Sequence, residues 1–137
     1  MTTRYASSQS GHDEAVNAAG QIYREHSRYA WVNPNGEKNK DWCGYYIDVI
    51  AVETPSANQA WVVEVETEES VSDSEATGQW KDYDKAYTGR WYLAVPSASE
   101  AEARRLVALH GIQHCAVITW QRNADGTHTF WGLPGLS

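Results

Sequence analysis

Tyr45-Tyr46-Ile47-Asp48-Val49-Ile50-Ala51-Val52 is rich in β-branched and aromatic residues and ends at the turn-forming Pro55-Ser56-Ala57-Asn58. Ala60-Trp61-Val62-Val63-Glu64-Val65-Glu66 follows at once and alternates along its length. Its period of two places Trp61, Val63 and Val65 on one face and Val62, Glu64 and Glu66 on the other. Two neighbouring strands, joined by a short connection, are predicted from this pair of segments. Both carry carboxylates inside otherwise apolar runs.

Working outward, Gly11-His12-Asp13-Glu14 reads as a helix start with acids in the first turn. Ala15, Val16, Ala19, Ile22, Tyr23 and His26 then recur at steps of three and four, predicting one buried stripe. Tyr29-Ala30-Trp31-Val32 reads as a strand leading into the turn residues Asn33-Pro34-Asn35-Gly36. On the C-terminal side a helix is expected from Glu75 to Tyr87, and a buried strand from Arg90 to Pro96. A further helix opens at Ser97 or Ser99, and the strand Cys115–Trp120 and the turn Asn123-Ala124-Asp125-Gly126 lead into a closing strand over 127–131. The order predicts an α/β (α+β) fold, a mixed central sheet with helices on its faces, within a single domain spanning 1–137.

Charge is unevenly placed. The net charge is -7, yet residues 1–40 carry five bases and four acids, and residues 81–137 six bases and five acids. Residues 41–80 carry nine acids and no base. That balance argues against a simple basic nucleic-acid binder. Ionised carboxylates inside sheets need partners, because burying one alone costs several kcal/mol. If the two strands pair antiparallel, Asp48 and Glu64 meet on one face. With the Val65 carbonyl and waters they would form the oxygen-rich site that Mg²⁺ prefers. The plainer alternative is a sheet with a wet edge and outward-pointing glutamates.

Asp48, a gap of fifteen residues, and Glu64-Val65-Glu66 closing an apolar strand together resemble the core of the PD-(D/E)xK nuclease superfamily. Ile47-Asp48 stands for the P-D pair and Glu64-Val65-Glu66 for (D/E)-x-K, and the similarity runs from about Gly11 to Pro96. Gln79-Trp80-Lys81-Asp82-Tyr83 is similar to the Q-x-x-x-Y signature of the RecB-like branch. The resemblance implies a restriction-endonuclease-like αβββαβ core with an extra helix and a C-terminal hairpin. It implies Mg²⁺ (or Mn²⁺) held by Asp48 and Glu64, with Glu14 as a further ligand, and hydrolysis of DNA phosphodiesters. Gln79 would orient the reacting groups, and Glu66 would act as a base behind the metal or as another ligand. Glu66 stands where the family has a lysine, so the positive charge must come from elsewhere, with Lys81, Lys85, Lys38 and Lys40 as candidates. The alternative is a catalytically inactive domain of the same type that binds nucleic acid or protein.

The remaining features narrow the field. No apolar run reaches the ~20 residues of a membrane span, and Met1–Ser8 has no apolar leader, so a cytoplasmic protein is expected. Cys43 and Cys115 make no disulfide framework and are expected as buried free thiols. His12-Asp13-Glu14 imitates the H-x-E of zinc deaminases, but no P-C-x-x-C follows. Seven Trp are expected mainly to pack the sheet, with Trp42 and Trp80 as alternative base-stacking residues. DNA is expected to bind weakly through Arg24, Arg28, Lys81 and Lys85, with a homodimer or a partner protein supplying further surface.

Overall fold

The computed structural model describes residues 6–136, so Met1–Tyr5 of the N-terminal reading lie outside it. Six strands form one mixed sheet in sequence order. β1 (Tyr29–Val32), β2 (Val49–Val52) and β3 (Trp61–Val65) run antiparallel as a meander. β4 (Trp91–Pro96) lies parallel to β3, and β5 (Cys115–Arg122) parallel to β4. β6 (His128–Trp131) returns antiparallel as the expected hairpin. Each parallel step needs a crossover, and both are helical. The first consists of α2 (Asp73–Glu75), a π-helical turn (Ala76–Trp80) and α3 (Lys81–Ala86); the second is α4 (Glu100–Leu109).

The alternation along β3 sorts the core into two layers. Trp61, Val63 and Val65 pack with Ala15, Val16, Ala19 and Tyr23 of the long helix α1 (Ala6–Glu25). On the opposite face, Val62 joins Ile50, Leu93 and Val95 against Trp80 and Tyr83 of the first crossover and Leu106 of α4. Gly20 lets α1 come close to the sheet: a Cβ there would lie 2.7 Å from Cγ1 of Val32.

Three expectations are corrected. α1 begins by Ala6, so Gly11–Glu14 lie inside the helix and its first turn holds no acid. The stretch from Tyr45 is not one strand, because extended pairing starts only at Val49. Trp42 and Tyr45 instead close a two-residue turn over Cys43 and Gly44, both at positive φ (53° and 86°). Cys43 is exposed rather than buried, and neither cysteine is in a disulfide. Among the described residues no helix is long and apolar enough to cross a membrane.

Candidate functional site

β2 and β3 pair with Val49 opposite Val63, so Asp48 enters the sheet beside Glu64. The Asp48 amide donates to Glu64 Oε1 at 3.3 Å, and the Val65 amide donates to Asp48 Oδ2 at 2.8 Å. Both carboxylates are buried, Asp48 at 7% and Glu64 at 3% exposure. They meet at the floor of a cavity of about 460 Å³. Its walls come from α1 (Gln9, His12), from the β1–β2 connection (Asn33, Asn35 to Lys38, Tyr45, Tyr46) and from the first crossover (Gln79, Tyr83).

Each acid is held by a neighbour from a different element. His12 Nε2 lies 3.0 Å from Asp48 Oδ2, and its Nδ1 lies 3.1 Å from Asp13 Oδ1. In the amide orientation that satisfies its partners, Gln79 donates to Glu64 Oε2 at 3.0 Å and to Glu75 Oε2 at 2.9 Å. Its carbonyl accepts from the Tyr83 hydroxyl at 2.9 Å, which brings together the two residues of the Q-x-x-x-Y pattern. Burial pushes the Glu64 carboxyl well above its ordinary range, and the charges of Asp48 and Glu66 push it further. Tyr83 moves the same way through burial and then the nearby carboxylates, so it stays a neutral phenol that can donate.

The wall that rises from the β1–β2 connection is fixed by one side chain. Asn33 is buried and donates to the carbonyls of Lys40 (2.8 Å) and Ile47 (2.7 Å). Its Oδ1 accepts from the amides of Asn39 (2.8 Å) and Lys40 (3.0 Å). The loop so braced carries Lys38, whose Nζ lies 5.7 Å from the centre of the Tyr46 ring. Among the described residues Lys38 is the only lysine or arginine lining the cavity.

Other residues singled out in the sequence sit elsewhere. Glu14 is two positions beyond His12, about 200° around α1, and so faces away from the acid pair. It lines a separate surface hollow with Arg24 and Arg122, its Oε2 3.6 Å from Arg122 Nε. Glu66 is wholly buried and does not line the cavity: Trp80 Nε1 donates to its Oε2 at 2.7 Å and Ser70 Oγ to its Oε1 at 3.0 Å. Lys81 and Lys85 do not line the cavity, and Lys40 lies over Trp31 at 5.1 Å. Trp80 is fully buried, which removes it as a base-stacking surface. Arg28 is engaged in packing, with Nε donating to the Gly135 carbonyl and its guanidinium 5.8 Å from the Trp61 ring.

His12 carried a signal in the sequence. It falls three and four residues before Ala15 and Val16, on the buried stripe of α1, where a polar side chain needs a polar partner. Among the described residues, no group of three or more His, Cys, Asp or Glu is arranged to hold a metal ion. The donor set nevertheless suits Mg²⁺, which is commonly bound by one or two carboxylates, with waters and substrate oxygens completing its shell. Comparison with known proteins finds no matching family model, no matching curated protein and no matching solved structure.

Proposed function

We propose that the cavity over Asp48 and Glu64 is the active site of a metal-dependent nuclease of the PD-(D/E)xK type, acting on DNA. The observation that carries this reading is a pair of buried, electrostatically opposed carboxylates, Asp48 just before β2 and Glu64 in β3, at the floor of an open cavity. Such a pair is costly unless a proton or a cation offsets it. The αβββαβ order, with β4 parallel to β3, and the contact of Gln79 with both Glu64 and Tyr83 support the same reading.

Asp48 and Glu64 would hold Mg²⁺ or Mn²⁺. When bound, the dication supplies Lewis acidity at the scissile phosphate and neutralises the acid pair. The chain's own residues do the positioning. His12 and the Val65 amide fix Asp48, and Gln79 fixes Glu64 while Tyr83 fixes the Gln79 amide. Lys38 supplies the positive charge on the cavity wall that Glu66, turned into the core, does not.

The buried Glu66 also favours a second reading, a binding module of the same architecture that has lost cleavage. A cleavage assay on single-stranded and duplex oligonucleotide DNA in Mg²⁺ or Mn²⁺ separates the two. Cleavage by the wild type, lost in Asp48→Asn and Glu64→Gln, is the expected result. DNA binding without cleavage under either metal would leave the module.

A further inference from the structure

The geometry points to an unpaired nucleotide as the occupant of this cavity, its base stacked on Tyr46 and its phosphate reached by Lys38. The inference rests on the nuclease reading for the identity of the polymer and goes beyond it in the strandedness of the substrate.

Three observations carry it. First, the acids lie at the bottom of the cavity with 7% and 3% of their surface exposed, under walls from three elements. A duplex presents its phosphates on a broad convex surface and keeps its bases sealed inside, so neither reaches such a floor. A cavity of about 460 Å³ suits one small, concavely bound group. Second, the wall is aromatic where solvent meets it. Tyr46 and Tyr45 are 44% and 36% exposed and line the cavity, whereas the other strongly exposed rings among the described residues, Tyr29 and Trp131, lie outside it. Tyr45 is braced edge-on against Tyr83, centroids 5.5 Å apart, so the tyrosine wall is continuous with the group that orients Gln79. Exposed rings beside a backbone-binding cation are the elements that hold single strands without reading their sequence.

Third, the cations are too few for a duplex. Duplex binding draws on many phosphate contacts, whereas Lys38 is the only lysine or arginine lining the cavity among the described residues. Stacking must then supply most of the affinity. The position of Lys38 fits that division of labour: its ammonium lies over the Tyr46 ring, 5.7 Å from the centre, so a base that takes its place on the ring leaves the ammonium to that nucleotide's phosphate.

The test is fluorescence anisotropy in Ca²⁺ with labelled oligothymidylate, its blunt duplex with oligodeoxyadenylate, and oligouridylate. The single strands should bind about ten-fold tighter than the duplex. Tyr46→Ala should lose about ten-fold for the single strands, while Tyr46→Phe, which keeps the ring, should bind like the wild type. Tyr29→Ala removes an exposed tyrosine on the edge strand β1, outside the cavity, and should change nothing. Duplex affinity equal to or above that of the single strands, or Tyr46→Ala binding like the wild type, overturns the inference. DNA cleavage in Mg²⁺ with that result leaves the nuclease reading standing. Tyr46-dependent single-strand binding without cleavage upholds the inference while removing the enzyme. Absence of binding to all three probes removes the inference.

Discussion

At the scale of single residues, Glu64 and Glu66 differ by one strand repeat and have separate tasks. Glu64 keeps its proton to a higher pH in the folded protein than its ordinary value of 4.5, because burial and the neighbouring acids oppose its charge. A raised folded-state pKa means that its stabilising contribution is full below about pH 4.5 and is lost as pH rises towards the folded value. Glu64→Gln imitates the protonated form, so the metal-free variant should melt near the wild type at pH 4.5 and several degrees above it at neutral pH. Parallel melting curves of the two proteins across that range would refute the shift. Glu66 instead accepts from the buried Trp80 indole and the Ser70 hydroxyl. Glu66→Ala orphans both donors and should cost about 3 kcal/mol, read as a fall in the urea midpoint at constant m. Glu66→Gln keeps an acceptor and should cost less. It should also leave the melting-temperature rise produced by Mg²⁺ intact, whereas Asp48→Asn should abolish it.

At the scale of elements, local pattern was legible wherever one physical signal dominated. The alternation of β3 assigns faces correctly, as does the stripe of α1 up to Tyr23, whereas His26, expected on that stripe, is exposed beyond the helix end at Glu25; Asn123–Gly126 marks the β5–β6 hairpin. Tyr45–Asp48 has strand-like composition, but the turn over Cys43 and Gly44 and the capture of the Ile47 carbonyl by Asn33 draw it out of the sheet. No short-range pattern announces a side chain that binds residues 7 and 14 positions away. The π-turn was equally hidden. It changes the angular placement of Gln79 and Trp80 by an amount that a regular 3.6-residue period does not predict, setting Gln79 on Glu64 and Trp80 on Glu66. For these reasons Asp48, Glu64 and Gln79 could be read as neighbours from the sequence, with Lys38 as one of four candidate lysines, while the choice of Lys38 among the four and the wall of Tyr45 and Tyr46 needed the fold. The brace on that wall is testable. Asn33→Ala strands two carbonyls and two amides and should cost about 3 kcal/mol. Hydrogen exchange should show the Asn39 and Lys40 amides losing protection before the sheet does. Unchanged protection there would mean that the loop is held by other contacts.

At the scale of the whole molecule, the nine acids of residues 41–80 do not form one cluster. Asp48, Glu64 and Glu66 are buried, and only the first two reach the cavity; Asp41, Glu53, Glu68, Glu69 and Asp73 are exposed. A polyanionic ligand would therefore meet a protein of net charge -7 whose repulsion is spread over its surface and whose cavity, among the described residues, is lined by one lysine and no arginine. Arg28, spent on Trp61 and Gly135, adds nothing to that count. Each phosphate neutralised on a single strand contributes about -0.7 to the slope of log K against log salt. One or two contacts then predict a slope shallower than about -2, measured by anisotropy with oligothymidylate in Ca²⁺ over a KCl series. Omitting Ca²⁺ should weaken binding, because the acid pair then faces the phosphate without a counter-charge. Lys38→Ala should flatten the slope further, whereas Arg28→Glu should act through stability and leave the slope of the folded protein unchanged. A slope steeper than about -4 would require a basic surface away from the cavity and would move the main contact with nucleic acid there.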